Sequence, residues 1–363
     1  MLKKINLTNY TTFIKETEID FMATNAKLLK ETNVQDKILK GCLFVGKNGT
    51  GKSNILKSIV FLFDMLFTNE NDLGIKKSLY TDIENYKLEY VFFIDNKDIT
   101  YCIEIGNNKI ITEKLMINTR AVIERMGKSG KSYIKGEELY EGLSDNQLLI
   151  KRIYSENKFH KDEILIKWRQ FLVNSIYINS YNRIIKGHFI DKINIQKYLK
   201  KNSPTIINNF LKEIGYDQQI SYKNKFFKEK TSLVFFNHKN YNFNIGESEE
   251  ATGNLMLLNL IPSFIFVTKN EGMIILDNFS MVFHNDLEEK FLKYFFKHAK
   301  NSQIFFTTHS TNILDNSVIR PDQVYAVSFK SKTGSAIKRF SDELPRDSQN
   351  LEKMYLDGAF ESK

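Results

Sequence analysis

Cysteine is almost missing from this chain of 363 residues: Cys42 and Cys102 are the only two. One lies in an apolar run and the other in an alternating, strand-like segment, so no disulfide framework holds the fold. With four prolines, there is no proline-rich linker. Long apolar runs are also absent. The longest, Ile59 to Phe67 and Met256 to Val267, are interrupted by Asp64 or by Asn259 and Pro262 and fall short of the ~18 residues a membrane helix needs. The opening Met1-Leu2-Lys3-Lys4-Ile5-Asn6 has no apolar stretch of signal-peptide length, and a cytoplasmic protein with no membrane partner is expected. Internal repeats, low-complexity tracts and Cys/His metal spacings are missing as well.

What is present is the composition of a folded domain. Hydrophobic residues make up 42% and aromatics 13%, enough to bury a large core and to exclude long disorder. The excess of 52 Lys and Arg over 43 Asp and Glu gives +9, which suits anionic partners but is too modest over this length to establish nucleic-acid binding. Lys223-Asn224-Lys225-Phe226-Phe227-Lys228-Glu229-Lys230 interleaves cations with aromatics, and Lys200-Lys201 stands nearby in sequence. A solvated face accounts for both more simply than a phosphate-tracking surface.

Along the chain, Ile5 to Phe21 reads as edge strands. A short buried strand ends at Val45, a glycine-rich loop follows, and Asn54 to Phe67 carries apolar residues at helical spacing. From Leu88 to Leu115 the pattern alternates, with turn residues at Asp95-Asn96-Lys97-Asp98 and Gly106-Asn107-Asn108, and predicts an antiparallel meander. Residues 116–235 are more polar and read as a mostly helical inserted lobe, including a helix over Asp162 to Ser175 around Trp168. The expected domains are therefore 1–115, 116–235 and 236–363. Strands are expected again at Ser232 to Phe236 and Tyr241 to Ile245. In the last part, Met273 to Asp277 and Gln303 to His309 are apolar strands separated by a helix over Asn285 to Lys300, which predicts an α/β arrangement with a parallel sheet.

Chemistry concentrates at Gly46-Lys47-Asn48-Gly49-Thr50-Gly51-Lys52-Ser53. It matches G-x-x-x-x-G-K-[ST] at every fixed position, between a strand and a helix. Glycines let backbone N–H groups turn toward a phosphate, and the helix N-terminus adds its dipole. Lys52 neutralises the β/γ oxygens and Ser53 offers a hydroxyl to Mg²⁺. Gly46, Asn48, Gly49, Gly51, Lys52, Ser53 and Asn54 are the predicted nucleotide-binding residues, with ATP and Mg²⁺ as cofactors. A second Gly-Lys-Ser, Gly130-Lys131-Ser132, has Arg125 at the first glycine position and no apolar strand before it, so it reads as a flexible basic loop. Asp277 ends a buried strand, where a Mg²⁺-directing carboxylate is needed. About thirty residues later His309, in Thr307-Thr308-His309-Ser310, ends the next strand, where its imidazole can meet a γ-phosphate.

Together these segments resemble the ATPase head of the ABC class found in SMC- and RecF-like proteins, and within it the compact bacterial AAA_15/AAA_21 type that includes abortive-infection ATPases. The resemblance rests on Ile5 to Tyr10, Gly46 to Leu56, Leu276 to His284, Thr307 to Ser310 and Arg346 to Gly358. It implies an ABC-type phosphate-loop head with a mixed central sheet, an antiparallel meander and the inserted lobe. It also implies a homodimer sandwiching ATP between one copy's phosphate loop and the other's signature helix. The signature falls on Glu250, Ala251, Thr252, Gly253 and Asn254. The family's Q-loop glutamine stays unassigned, with Gln147 a candidate for it.

Two positions depart from the family. Where it carries Asp-Glu, with Glu aligning the attacking water, this chain has Asp277-Asn278. An amide holds water but accepts no proton, so slow ATP hydrolysis is expected. Ala251 stands where a signature hydroxyl is expected. The leading expectation is a nucleotide-gated dimeric switch in anti-phage defence controlling a separate nuclease or toxin, since no second catalytic cluster is visible. A DNA-binding clamp in repair, and a hydrolysis-deficient structural subunit, are the alternatives.

Overall fold

The computed structural model describes residues 1–68, 73–74, 76–156, 158–159, 162–224, 232–238, 244–247, 249–281 and 285–360. The aromatic-basic stretch from Lys225 to Lys230, the expected strand start Tyr241 to Phe243 and the segment Val282 to His284 lie outside them.

A seven-stranded sheet forms the centre, in the order Ile184–Gly187, Ile176–Asn179, Met273–Asp277, Gln303–Thr307, Gly41–Val45, Val324–Lys330, Gly334–Arg339. Its five inner strands are parallel and the two edge strands antiparallel. Side chains alternate across it, so each strand feeds two cores. Cys42, Phe44, Met273, Ile275 and Phe305 enter one, while Leu43, Val45, Ile274, Leu276, Ile304 and Phe306 enter the other.

Over the first face, helices Lys52–Phe67 and Glu163–Val173 are sandwiched beneath an eight-stranded antiparallel sheet. The expected meander is its middle, Asn85–Ile94, Lys97–Gly106 and Lys109–Ile117. Tyr90 donates its hydroxyl to the Ser58 carbonyl at 2.6 Å, pinning the phosphate-loop helix to this sheet. Over the second face pack helices Thr252–Asn270 and Asn285–His298, with Ile195–Lys201, Thr205–Glu213 and a small three-stranded sheet outside them.

Residues 116–235, expected as one helical insertion, are divided among several layers. Arg120–Met126, Ser129–Ser132 and Glu138–Tyr140 extend the outer sheet, Glu163–Val173 fills the first core, and Ile176–Asn179 joins the central sheet beside Met273–Asp277. The part after about residue 190 packs into the second core, where Ile195, Tyr198, Phe210 and Ile220 join Leu258 and Phe264. The polar exposed rows of the outer strands hid their alternation. Gly130-Lys131-Ser132, expected as a flexible loop, is therefore strand: Gly127 at φ 55° turns the hairpin, and a Cβ on Gly130 would stand 2.6 Å from the Leu149 side chain. Among the described residues no helix is long and apolar enough to cross a membrane.

One buried ion pair anchors the strand behind the phosphate loop. Arg320 and Asp322, both at most 1% exposed, precede Val324–Lys330. Arg320 donates to the Asp322 carboxylate at 2.8 and 2.7 Å and to the Ala26 carbonyl at 3.0 Å. Asp322 also accepts the Thr24 N–H and hydroxyl, each at 2.7 Å. Burial pushes the Asp322 carboxyl up, but the Arg320 and Thr24 bonds outweigh it and hold it below the ordinary carboxylate range. Replacing Arg320 by Ala strands a buried carboxylate and is expected to cost about 3–5 kcal/mol, read from the urea unfolding midpoint. R320A together with D322A should recover part of that loss, and equal midpoints for wild type and R320A would contradict the assignment.

Candidate nucleotide site

The strand Gly41–Val45 delivers the chain into the loop, and helix Lys52–Phe67 leaves it. Gly46 and Gly51 have φ of 151° and 105°, values that side chains other than glycine rarely adopt. Space enforces the same choice. A Cβ on Gly46 would stand 2.2 Å from the Val327 carbonyl oxygen, and one on Gly51 would stand 2.6 Å from the hydroxyls of both Ser335 and Thr12. The loop thus lies flush on strands Val324–Lys330 and Gly334–Arg339 and on the turn at Thr12. Ser335 donates to the Thr50 carbonyl at 2.7 Å, and the Asn54 amide donates to the Thr12 hydroxyl at 3.0 Å. Asn48 and Gly49 stand at the exposed crest.

Lys52 is 7% exposed and folds back into the loop, donating to the carbonyls of Gly46 at 2.7 Å and Lys47 at 2.9 Å. Burial lowers its pKa, and the nearby Asp277 carboxylate opposes that shift.

Asp277 faces the loop from the adjacent layer of strand ends. Its Oδ1 accepts the Ser53 hydroxyl at 2.9 Å and the Thr307 hydroxyl at 2.7 Å. Thr307 in turn accepts the Asn278 N–H at 2.9 Å, fixing Asn278 at φ 61°, a left-handed conformation that asparagine tolerates better than most residues. The His309 N–H donates to the Ser280 hydroxyl at 2.9 Å. The structure therefore brings Gly46, Gly51, Lys52, Ser53, Asn54, Asp277, Asn278 and His309 to one end of the central sheet.

Other expected positions lie elsewhere. Glu250 to Asn254 begin helix Thr252–Asn270 on the opposite face of the sheet from the phosphate-loop helix. The Glu250 carboxylate accepts the Ala251 N–H at 3.0 Å and the Asn254 amide at 2.6 Å, and the Asn254 side-chain oxygen accepts the Tyr216 hydroxyl. Gln147 is not at the site. It is an exposed residue at the far edge of the outer sheet, where its backbone carbonyl accepts a bond from Arg125. The sheet register instead sets Asn179 directly beside Asp277. Asn179 is 7% exposed, donates to the Tyr177 hydroxyl at 3.1 Å and accepts the Asn182 N–H at 2.8 Å. The signal for it was a four-residue run, Ile-Tyr-Ile-Asn, after a helix, too short to stand out in a polar stretch.

Glu288 is a second residue without a sequence signal. It is fully buried, and its Oε2 accepts the Thr308 hydroxyl at 3.2 Å, while Thr308 accepts the Ser310 N–H at 3.0 Å. The other Glu288 oxygen has no partner. Burial raises its pKa from 4.5 to about 7, and the Thr308 bond only partly offsets this.

The glycine loop, the acid at the neighbouring strand end and the two cores around a mixed sheet give the chain the fold of an ABC-class ATPase head, as seen in SMC head domains. The SMC head domain from Thermotoga maritima has the same fold, with a TM-score of 0.51 at 16% identity over 93% of this chain and 98% of that one. The chain belongs to the AAA_21 family, described as "AAA domain, putative AbiEii toxin, Type IV TA system", whose model matches residues 43–315. Two further folds are similar: an Smc head bound to the C-terminal winged-helix domain of ScpA, with a TM-score of 0.52 at 12% identity over 94% and 99% of the chains, and the Pyrococcus furiosus Smc head with an extended coiled coil bound to the C-terminal domain of ScpA, with a TM-score of 0.50 at 11% over 94% and 97%. No curated protein matches the chain.

Glu288 gives the site region a pH signature. Its raised pKa means the folded chain holds a proton that the unfolded chain releases, between pH 4.5 and about 7. Stability should fall as pH rises across that window and level off above it. E288Q should remove this slope and gain on the order of 1–3 kcal/mol relative to wild type at pH 8. Urea midpoints measured at pH 5 and pH 8 check it, and parallel slopes for the two proteins would refute it.

Proposed function

We propose that this chain is an ATP- and Mg²⁺-dependent switch, working as a homodimer that nucleotide closes and that controls a separate nuclease or toxin in bacterial defence against phage. The observation that carries the reading is the bond from Ser53 to Asp277 at 2.9 Å, directly after the buried Lys52. Loop N–H groups and the helix N-terminus suit phosphate. A hydroxyl and a carboxylate are the hard oxygen donors that Mg²⁺ takes alongside phosphate oxygens and water. Among the described residues no group of three or more His, Cys, Asp or Glu side chains could hold a metal ion; Ser53 and Asp277 would meet an ion that arrives with the phosphates.

Dimer closure is supported by the placement of Glu250 to Asn254 at the start of a helix that packs on the face away from the phosphate-loop helix. A partner copy would bring that segment to the nucleotide. Contacts made only in the closed form would let ATP shift the equilibrium by its difference in affinity for the two forms. The family's description supports a toxin–antitoxin or abortive-infection setting.

Asn278 favours a second reading, a nucleotide-binding subunit without turnover, because its amide accepts no proton. Two experiments separate these. K52A should abolish Mg-ATP uptake in equilibrium dialysis, and unchanged uptake would end the nucleotide reading. N278E should raise phosphate release by about 10²-fold or more if a missing general base limits the rate, whereas a structural subunit would gain nothing.

A further inference from the structure

The last turn of helix Lys52–Phe67 lies roughly 20 Å along its axis from the phosphate loop, at about 1.5 Å per residue. There it walls a cavity of about 280 Å³ that the nucleotide reading does not use. Four aromatic side chains line it: Phe67, Tyr154, Phe159 and Trp168. Two cations join them. The Arg169 guanidinium stacks 4.2 Å from the Tyr154 ring centre and 5.7 Å from that of Phe67, and Lys151 donates to the Thr68 carbonyl at 2.5 Å. Among the described residues neither forms an ion pair, and burial lowers the Lys151 pKa. Trp168 is 1% exposed, and its indole N–H is buried without an acceptor.

Among the described residues the buried indole donor has no acceptor, which is costly in an apolar setting, and the two half-buried cations have no carboxylate beside them. Planar rings with a stacked guanidinium complement the face of another aromatic ring, and the two cations complement an acidic group. The volume is near the low end of small-ligand sites. The cavity also shares Phe67, Leu172 and His188 with a neighbouring one of about 330 Å³, which leaves room for a substituent. We propose that this cavity binds a small aromatic anion, one planar ring system bearing a carboxylate or phosphate. The site is separate from the nucleotide loop and does not depend on it.

Trp168 is the only tryptophan, so fluorotryptophan labelling of the full chain gives a single fluorine resonance inside the cavity. Titration with phenyl phosphate should shift it saturably, with an affinity at least about tenfold tighter than for benzyl alcohol or inorganic phosphate. R169A should weaken that affinity by about tenfold. Should R169A not fold, S155F, which narrows the cavity at the exposed Ser155, should remove the shift. No shift by about 1 mM phenyl phosphate, equal response to benzyl alcohol, or an affinity unchanged in the folded variants would overturn the proposal. K52A leaves this titration unaffected, so its outcome is independent of the nucleotide reading.

Discussion

A single carboxylate holds the candidate site together. Asp277 Oδ1 accepts hydroxyls from Ser53 and Thr307, which belong to the first helical turn after the loop and to the neighbouring strand end. Three segments far apart in sequence are fixed at one point. The Asn278 N–H on Thr307 extends the same network by one residue. Because Asp277 is 2% exposed and Thr307 1%, the bond between them is shielded from water, and leaving the Thr307 hydroxyl unmatched would carry a desolvation penalty. The site is thus a property of the sheet: five parallel strands deliver their C-terminal ends to one side, and the polar residues that matter are those that end apolar runs.

The sheet can do this because its strands are apolar on both faces. Leu43 and Val45 serve one core while Cys42 and Phe44 serve the other, so both faces must stay covered. The same burial explains why the loop must be glycine where it is. Strand Val324–Lys330 lies against it so closely that the Val327 carbonyl occupies the space of a Gly46 side chain. Arg320 and Asp322 fix the start of that strand. Backbone shape, not side-chain chemistry, makes the cradle.

Legibility in the sequence followed this physics. The loop, Asp277 and the His309 turn could be read because each follows a run of apolar residues that only a buried strand explains. Their mutual placement was implied by parallel-sheet topology. What escaped notice shares another feature. Ile176–Asn179 is as buried as its neighbours but only four residues long, and it sits in a stretch whose overall polarity comes from exposed rows of the outer sheet. Asn179 therefore carries no periodic signal of its own. Glu288 gives no periodic signal at all, since one acid on an amphipathic helix reads as solvent-facing. Only the tertiary packing of that helix against Thr308 shows it to be buried.

The electrostatics of Lys52 complete the picture. Its ammonium is bonded by two loop carbonyls and partly desolvated, and burial alone would make it give up its proton more readily. The Asp277 carboxylate offsets that tendency only in part. A polyanion laid against the loop would add negative charge on the other side of the same ammonium, favouring its charged form. Phosphate binding would therefore draw on an interaction the fold prepares but does not fully satisfy. What the loop gains from an anion is the difference between phosphate oxygens and the two backbone carbonyls that now hold the ammonium. Lys52 thus acts less as a free charge waiting in solvent than as one already oriented, so little side-chain entropy remains to be lost on binding.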